Sequence, residues 1–253
     1  NELFIAHIRE SDHAVQTVLE HNQGVAKLAR IAGEPYGMAN LAECAGLHHD
    51  DGKNRTEFKS YLLNAIAGKK QKRGSVIHST HGAGLIDELK NPEDATSIRT
   101  AEMIRTSIMS HHGLRDALTV DGDVTFVHAK EKIFDSYEGV KSIVYHDLGQ
   151  EKNTNLFHAA VDDTRKLLEK IKKFDPKRNH YGDRSFYLGL YQRLLTSLVI
   201  DADRTDTASF MDNVPPPSRK SKEEMIQLWK RYRENAERTL AQLKMIKTPS
   251  LLD

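Results

Sequence analysis

Histidines and acids fall in an ordered series of short clusters along this chain, and each cluster stands beside a helical run. Glu20-His21 lies in the first predicted helix, and His48-His49-Asp50-Asp51-Gly52-Lys53 closes the second. His78-Ser79-Thr80-His81-Gly82 opens the fourth, His111-His112-Gly113 closes the fifth, and Asp201-Ala202-Asp203-Arg204 closes a long helix near residue 200. A fold that serves these groups must bring several helix ends to one cavity. The pattern therefore constrains topology as well as chemistry.

The helices follow from apolar spacing. Val18, Val25, Leu28, Ala29 and Ala32 recur at helical intervals, and Gly33 ends that run. Further helices are expected over Met38–His49, Glu57–Ala67, Ser79–Leu89, Ser97–His112, Asn155–Phe174 and Ser185–Ala202, with Gly113 suited to a left-handed cap. Residues Leu118–Val127 alternate β-branched positions about an Asp-Gly pair and predict a small inserted hairpin. Residues Ser136–Asn153 carry no assignable period. Pro215-Pro216-Pro217 breaks the chain before a charged amphipathic helix from Lys222 to about Lys247. The expectation is a mainly α fold, with residues 1–210 as one domain and 211–253 as a break, a helix and a linker.

Composition excludes more than it assigns. The single cysteine, Cys44, rules out an internal disulfide or a multi-cysteine zinc site and reads as a buried thiol. A reducing cytoplasm fits, and no apolar run long enough for a bilayer span occurs. The start, Asn1-Glu2-Leu3-Phe4, carries no secretory leader pattern. The net charge of +1 does not announce a nucleic-acid binder, although a local basic track suffices for a nuclease. Lys69, Lys70, Lys72 and Arg73 form one such run, and Lys166, Lys170, Lys172 and Lys173 another; both read as solvated faces.

Thirteen histidines are present, and those in the clusters carry the chemistry. Imidazoles suit borderline divalent metals, while carboxylates add charge and can bridge two ions. Two ions about 3.5–4 Å apart lower the pKa of a shared water and stabilise both the attacking and leaving oxygens of a phosphodiester. Adjacent residues leave a helix about 100° apart, so His49 and Asp50 can grip neighbouring points of one centre, as can His111 and His112. His7, His13, His128, His146, His158 and His180 lie outside the pattern and read as surface or structural.

The ordered set resembles the HD superfamily of metal phosphohydrolases, whose pattern runs H…HD…D. In that frame His21 matches the first histidine, His49-Asp50 the signature pair and Asp203 the closing aspartate, with Asp201 as its competitor. His78, with Gly82 four residues on, matches a further histidine for which His81 competes, and His111 and His112 complete a second metal. The context Ala45-Gly-Leu-His-His-Asp-Asp-Gly-Lys53, with Phe58, His78-Ser79 and His111-His112-Gly113-Leu114, is similar to the HD nuclease domain of the signature helicase–nuclease of type I CRISPR–Cas systems. Ala6-His7 and Asp201–Thr207 suit the same family, and the likeness spans roughly residues 4 to 210.

The resemblance implies the HD helical fold, with a metal cavity between helices. It also implies a nuclease acting on single-stranded DNA with two divalent ions, Mn²⁺, Ni²⁺, Co²⁺ or Mg²⁺. One ion is expected on His21, His49, Asp50 and Asp203, the other on Asp50, His78, His111 and His112, with Asp50 bridging. Lys53 is the candidate contact to the scissile phosphate. His48 and Asp51 are candidates to hydrogen-bond ligands. The implied partners are single-stranded DNA, a helicase motor in the same or a separate chain and an RNA-guided CRISPR surveillance complex, with no membrane. No G-x-x-x-x-G-K-[ST] phosphate loop occurs in the sequence, so ATP-driven unwinding is expected to belong elsewhere. A nucleotide or cyclic-nucleotide phosphohydrolase is the competing reading of the same ligand pattern, and a binding-only module is a weaker one.

Overall fold

A computed structural model describes residues 3–70, 76, 78–113, 136–174, 181–218 and 220–246. The architecture is mainly helical. A short antiparallel hairpin comes first, β1 (Ile5–Ile8) with β2 (Val15–Thr17), in a register that pairs Ile5 with Thr17 and Ile8 with Val15. Then follow α1 (Val18–Gly33), α2 (Ala39–His48), α3 (Thr56–Ile66), α4 (His81–Leu89) and α5 (Ala95–Ser110). After these come α6 (Tyr137–Leu148), α7 (Gln150–Phe174), α8 (Tyr181–Asp212) and α9 (Lys222–Ile246). The chain divides into two compact units, Asn1–Val214 and Pro215–Asp253, and α9 is the helix of the second.

The hairpin was not foreseen at the N-terminus, and the one expected over Leu118–Val127 lies outside the described residues. The unassigned stretch after Ser136 forms α6 and the first turn of α7. Gly113 does not take the left-handed conformation expected of it; Gly37, Gly68 and Gly149 are the glycines with positive φ among the described residues. The largest departure is α8, expected to close near Ala202 but running ten residues further. Apolar periodicity fades there, and polar contacts to the hairpin and α1 sustain the helix instead, as described below.

Helix α2 organises the first unit. It is apolar on nearly every side, with Leu41, Ala42, Cys44 and Ala45 fully buried, as expected of a central helix rather than a surface one. It packs on α1, α5, α7 and α8, and each large aliphatic side chain so buried contributes roughly 1.5–3 kcal/mol. Cys44 is the inert buried thiol expected, its pKa pushed up by burial. The first turn of α2 lacks a side-chain cap of its own. Asp163 of α7 supplies one, accepting from the Asn40 and Leu41 amides at 2.7 and 3.2 Å and from the Asn40 side chain at 3.1 Å. A carboxylate there satisfies free N–H groups and complements the helix dipole. This clamp fixes the rotation of α2, and with it the direction in which its C-terminal His49 and Asp50 leave.

Two local devices set the neighbours. Thr17 and Glu20 form a reciprocal capping box, Thr17 Oγ1 accepting from the Glu20 amide at 3.1 Å and Glu20 Oε2 accepting from the Thr17 amide at 2.8 Å. That box starts α1 three residues before His21 and so fixes the turn from which His21 projects. Helix α4 meets the end of α2 through Gly82, where an added Cβ would stand 1.9 Å from the backbone oxygen of His48. The close approach requires glycine, and it lays the strand of chain carrying His78 beside the His49-Asp50 turn.

Overpacking at Gly82 should therefore be costly. Gly82→Ala is expected to lower stability by about 1–3 kcal/mol or more. Gly139→Ala in α6, where an added Cβ meets nothing within 4 Å, should be neutral or raise stability by up to about 1 kcal/mol. Urea unfolding of the two variants checks this, and equal midpoints would contradict the packing described.

Candidate metal centre

Asp50 sits at the centre of the arrangement. It follows the last turn of α2 and leads into the short 3-10 turn Asp51–Lys53, and it is about 1% exposed. Its two oxygens face different histidines. Oδ2 lies 3.5 Å from His21 Nε2 and 3.2 Å from His49 Nε2, while Oδ1 lies 3.4 Å from His78 Nε2 and 3.5 Å from His111 Nε2. Asp203 joins the first side, with Oδ1 3.3 Å from His21 Nε2 and 3.7 Å from His49 Nε2. His112 joins the second, its Nε2 2.7 Å from that of His78. Two ring nitrogens at that distance need a proton or a cation between them.

Two ligand groups result, His21, His49, Asp50 and Asp203 in one and Asp50, His78, His111 and His112 in the other. In each, the ligand atoms all lie within 4.8 Å of one another. The structure thus brings together every residue that the sequence placed on the two ions. It also separates the competitors. Asp201 is exposed, two residues and therefore roughly 200° around α8 from Asp203. His81 turns away, with Nε2 3.0 Å from Ser136 Oγ, and it joins neither group.

The backbone decides which ring nitrogen is presented. His49 Nδ1 lies 2.7 Å from the Gly46 carbonyl and His111 Nδ1 2.5 Å from that of Ile108, each three residues back at the end of a helix. Helix C-termini leave such carbonyls free. With Nδ1–H donating there, Nε2 is the nitrogen that faces Asp50 and, once free of a proton, the one left to bind a cation. The Nε2 atoms of His21, His49 and His111 and Oδ1 of Asp50 are all buried without a hydrogen-bond partner. Buried polar atoms are rarely left so. Convergent imidazole and carboxylate donors with orphaned lone pairs fit divalent cations, and the donor set of five imidazoles and two carboxylates suits borderline transition ions.

Electrostatics separate the two groups. Burial opposes a charge on Asp50, but Lys53 and His49 outweigh it and hold the carboxyl well below the usual range. Burial likewise opposes protonation of His49, yet Asp50 and Asp203 raise it to about 10, and the carboxylates around His21 raise that imidazole too. A site that raises imidazoles in this way stabilises positive charge. On the other side, burial lowers His78, with Asp50 only partly offsetting it, and burial and His111 lower His112 to about 4. Those rings are neutral near pH 7, the form in which imidazole binds metal.

Lys53 is 6% exposed, with Nζ 2.7 Å from Asp50 Oδ2 and 5.5 Å from the centre of the Phe58 ring. It lies within the site rather than in solvent. His48 and Asp51 do not hydrogen-bond ligands as expected. They bond each other at 2.8 Å, Asn22 donates to Asp51 at 3.1 Å, and the trio braces the turn under His49 and Asp50. Of the basic runs, Lys69, Lys70, Lys166, Lys170, Lys172 and Lys173 are exposed, and Lys72 and Arg73 lie outside the described residues.

Sequence reasoning missed three neighbours of His21. Asp206 Oδ2 is 2.8 Å from His21 Nδ1, Gln16 Nε2 donates to the same oxygen at 2.8 Å, and the His7 ring lies edge-on to His21 with centroids 4.7 Å apart. His7 is thus half-buried against the site, and burial, with help from Lys53, lowers its pKa to about 3. The available signals were Asp206, three residues beyond Asp203 on the same face of a helix, and the Ala6-His7 context already noted in the sequence.

Residues 18–132 match the HD domain family. No curated protein matches the chain. The matched span contains His21, His49, Asp50, His78, His111 and His112, and Asp203 lies beyond it. An HD domain implies metal-dependent phosphohydrolase activity, and the convergence of these side chains agrees with that chemistry. No described helix is long and apolar enough to cross a membrane.

Metal content tests the two groups separately. Wild-type protein equilibrated with Mn²⁺ is expected to carry about two ions per chain, and His111→Ala about one fewer, measured by elemental analysis after gel filtration. Unchanged stoichiometry in His111→Ala would remove the second group.

Proposed function

We propose that this chain is a metal-dependent nuclease that hydrolyses phosphodiester bonds of single-stranded DNA as part of CRISPR interference. The observation that carries the reading is Asp50, whose two oxygens face two separate histidine groups at 3.2–3.5 Å. Such a carboxylate suits a bridge between two ions. When bound, the ions supply an acidified water and charge stabilisation for in-line displacement at phosphorus.

The chain's own residues do the rest. His21, His49 and Asp203 hold one side of the site and His78, His111 and His112 the other, with the Nδ1 partners of His21, His49 and His111 aiming Nε2 inward. Lys53, held between Asp50 and the Phe58 ring, is placed to release Asp50 and contact a non-bridging phosphate oxygen as negative charge grows there. His112 and Gly113 are exposed, and Asp203 and His78 are only half-buried, so one rim of the centre is open to solvent. An open rim suits a polymer strand better than a closed base-specific pocket does. The similarity of the His48–Lys53, His78-Ser79 and His111–Gly113 contexts to the nuclease domain of CRISPR helicase–nucleases supports the substrate. In that setting a helicase motor, in the same or a separate chain, and an RNA-guided surveillance complex deliver the strand. The imidazole-rich donor set favours Mn²⁺, Co²⁺ or Ni²⁺ over Mg²⁺.

Circular single-stranded DNA incubated with the protein and Mn²⁺ should be cut and then degraded. Chelator should abolish cutting, and Asp50→Asn should reduce it more than about 100-fold, beyond the range of losses around a metal's outer ligands. Intact circles together with hydrolysis of free or cyclic nucleotides would overturn the nuclease reading and favour a nucleotide phosphohydrolase.

A further inference from the structure

We infer that Asp206 is a positioning residue for His21, and that the N-terminal hairpin holds it in place. The hairpin and the distal half of α8 are then working parts of the first ligand group. The inference rests on the metal-centre reading above.

His21 differs from the other buried ligand candidates in where it stands. His49 and His111 follow helix C-termini, where a carbonyl three residues back is free to accept from Nδ1. His21 lies in the first turn of α1, where the free backbone groups are N–H donors. No local acceptor is available to Nδ1–H, so the orientation of the ring must be set from elsewhere. Asp206 supplies the acceptor at 2.8 Å. A carboxylate on the far nitrogen fixes the tautomer and raises the basicity of the nitrogen that faces the metal.

The carboxylate is itself seated. Its side chain is 13% exposed, and Gln16 of β2, 8% exposed, donates to the same oxygen at 2.8 Å. On the α1 side the seat is Gly24, three residues from His21 and on the same face. A Cβ there would stand 2.0 Å from Asp206 Oδ1. Two further contacts tie the hairpin along the same stretch of α8. His7 Nε2 lies 3.3 Å from Thr207 Oγ1 while its ring meets His21 edge-on, and Arg9 donates to the Phe210 carbonyl at 2.7 Å. Residues 206, 207 and 210 occupy one side of the helix, so the hairpin grips α8 where apolar packing gives out. Apart from Gly24, none of these groups falls within residues 18–132.

Mn²⁺ titration of the full chain by calorimetry, with wild type, Asp206→Ala, Asp206→Asn and Gly24→Ala, tests the inference; far-UV circular dichroism confirms that each variant folds. Wild type should bind in two classes. Asp206→Ala should weaken one class about 10–100-fold and leave the other unchanged. Gly24→Ala, which displaces the carboxylate without removing it, should weaken the same class. Asp206→Asn should recover part of the loss, because its carbonyl oxygen still accepts from His21. Wild-type affinity in Asp206→Ala, or equal loss in both classes, would overturn the positioning role while leaving the metal centre standing. A wild-type chain that binds no Mn²⁺ would overturn the metal-centre reading itself, and this inference with it.

Discussion

A single buried carboxylate governs this structure. Asp50 is ionised in a place that water does not reach, and an isolated charge so buried would be prohibitively costly. Lys53 at 2.7 Å and the raised imidazoles of His49 and His21 offset that cost, and the surrounding helices are arranged to keep those partners in reach. Asp163 clamps the start of α2 so that its end points correctly, Gly82 admits α4 against that end, and the His48–Asp51–Asn22 trio braces the turn below. Removing Asp50 leaves Lys53 and a protonated His49 facing each other with one fewer counter-charge, so the same residue that organises the chemistry also organises local stability.

The geometry divides labour between the two oxygens. One faces a group rich in carboxylate, where imidazoles are raised and positive charge is welcome. The other faces the group in which burial keeps His78 and His112 neutral. Loading the first group expels protons and loading the second requires few, so the two groups differ in how strongly pH competes with a cation. Any ion bound there stabilises the folded chain by mass action, and it ties α1, α2, α5 and α8 together at one point.

Much of this was legible in the sequence, for a physical reason. His49-Asp50, His78 and His111-His112 stand at helix boundaries that turn residues and apolar periodicity mark, so their convergence follows from element order. The choice between Asp203 and Asp201 follows from helical rotation, which places residues two apart on different faces. What the sequence hid is held by polar contacts rather than by apolar pattern. The last ten residues of α8 carry no clear period, and they stay helical because Asp206, Thr207 and the Phe210 carbonyl are gripped by Gln16, His7 and Arg9. The N-terminal hairpin has four residues in one strand and three in the other, too short for alternation to show. His7 was set aside for want of a motif, although its ring lies on His21.

The chain segments that build the centre are far apart in sequence, with His21 and Asp203 at opposite ends of the first unit. The ligand set is complete only when α8 closes on α1, and the sequence span that matches the HD family holds every candidate ligand except that last carboxylate. The central claim is that Asp50 is shared between two ions, and anomalous diffraction from crystals grown with Mn²⁺ tests it most directly. The account predicts two peaks about 3.5–4 Å apart, one on each Asp50 oxygen, the first also held by His21, His49 and Asp203 and the second by His78, His111 and His112. A single peak, or two peaks that Asp50 does not join, would contradict it.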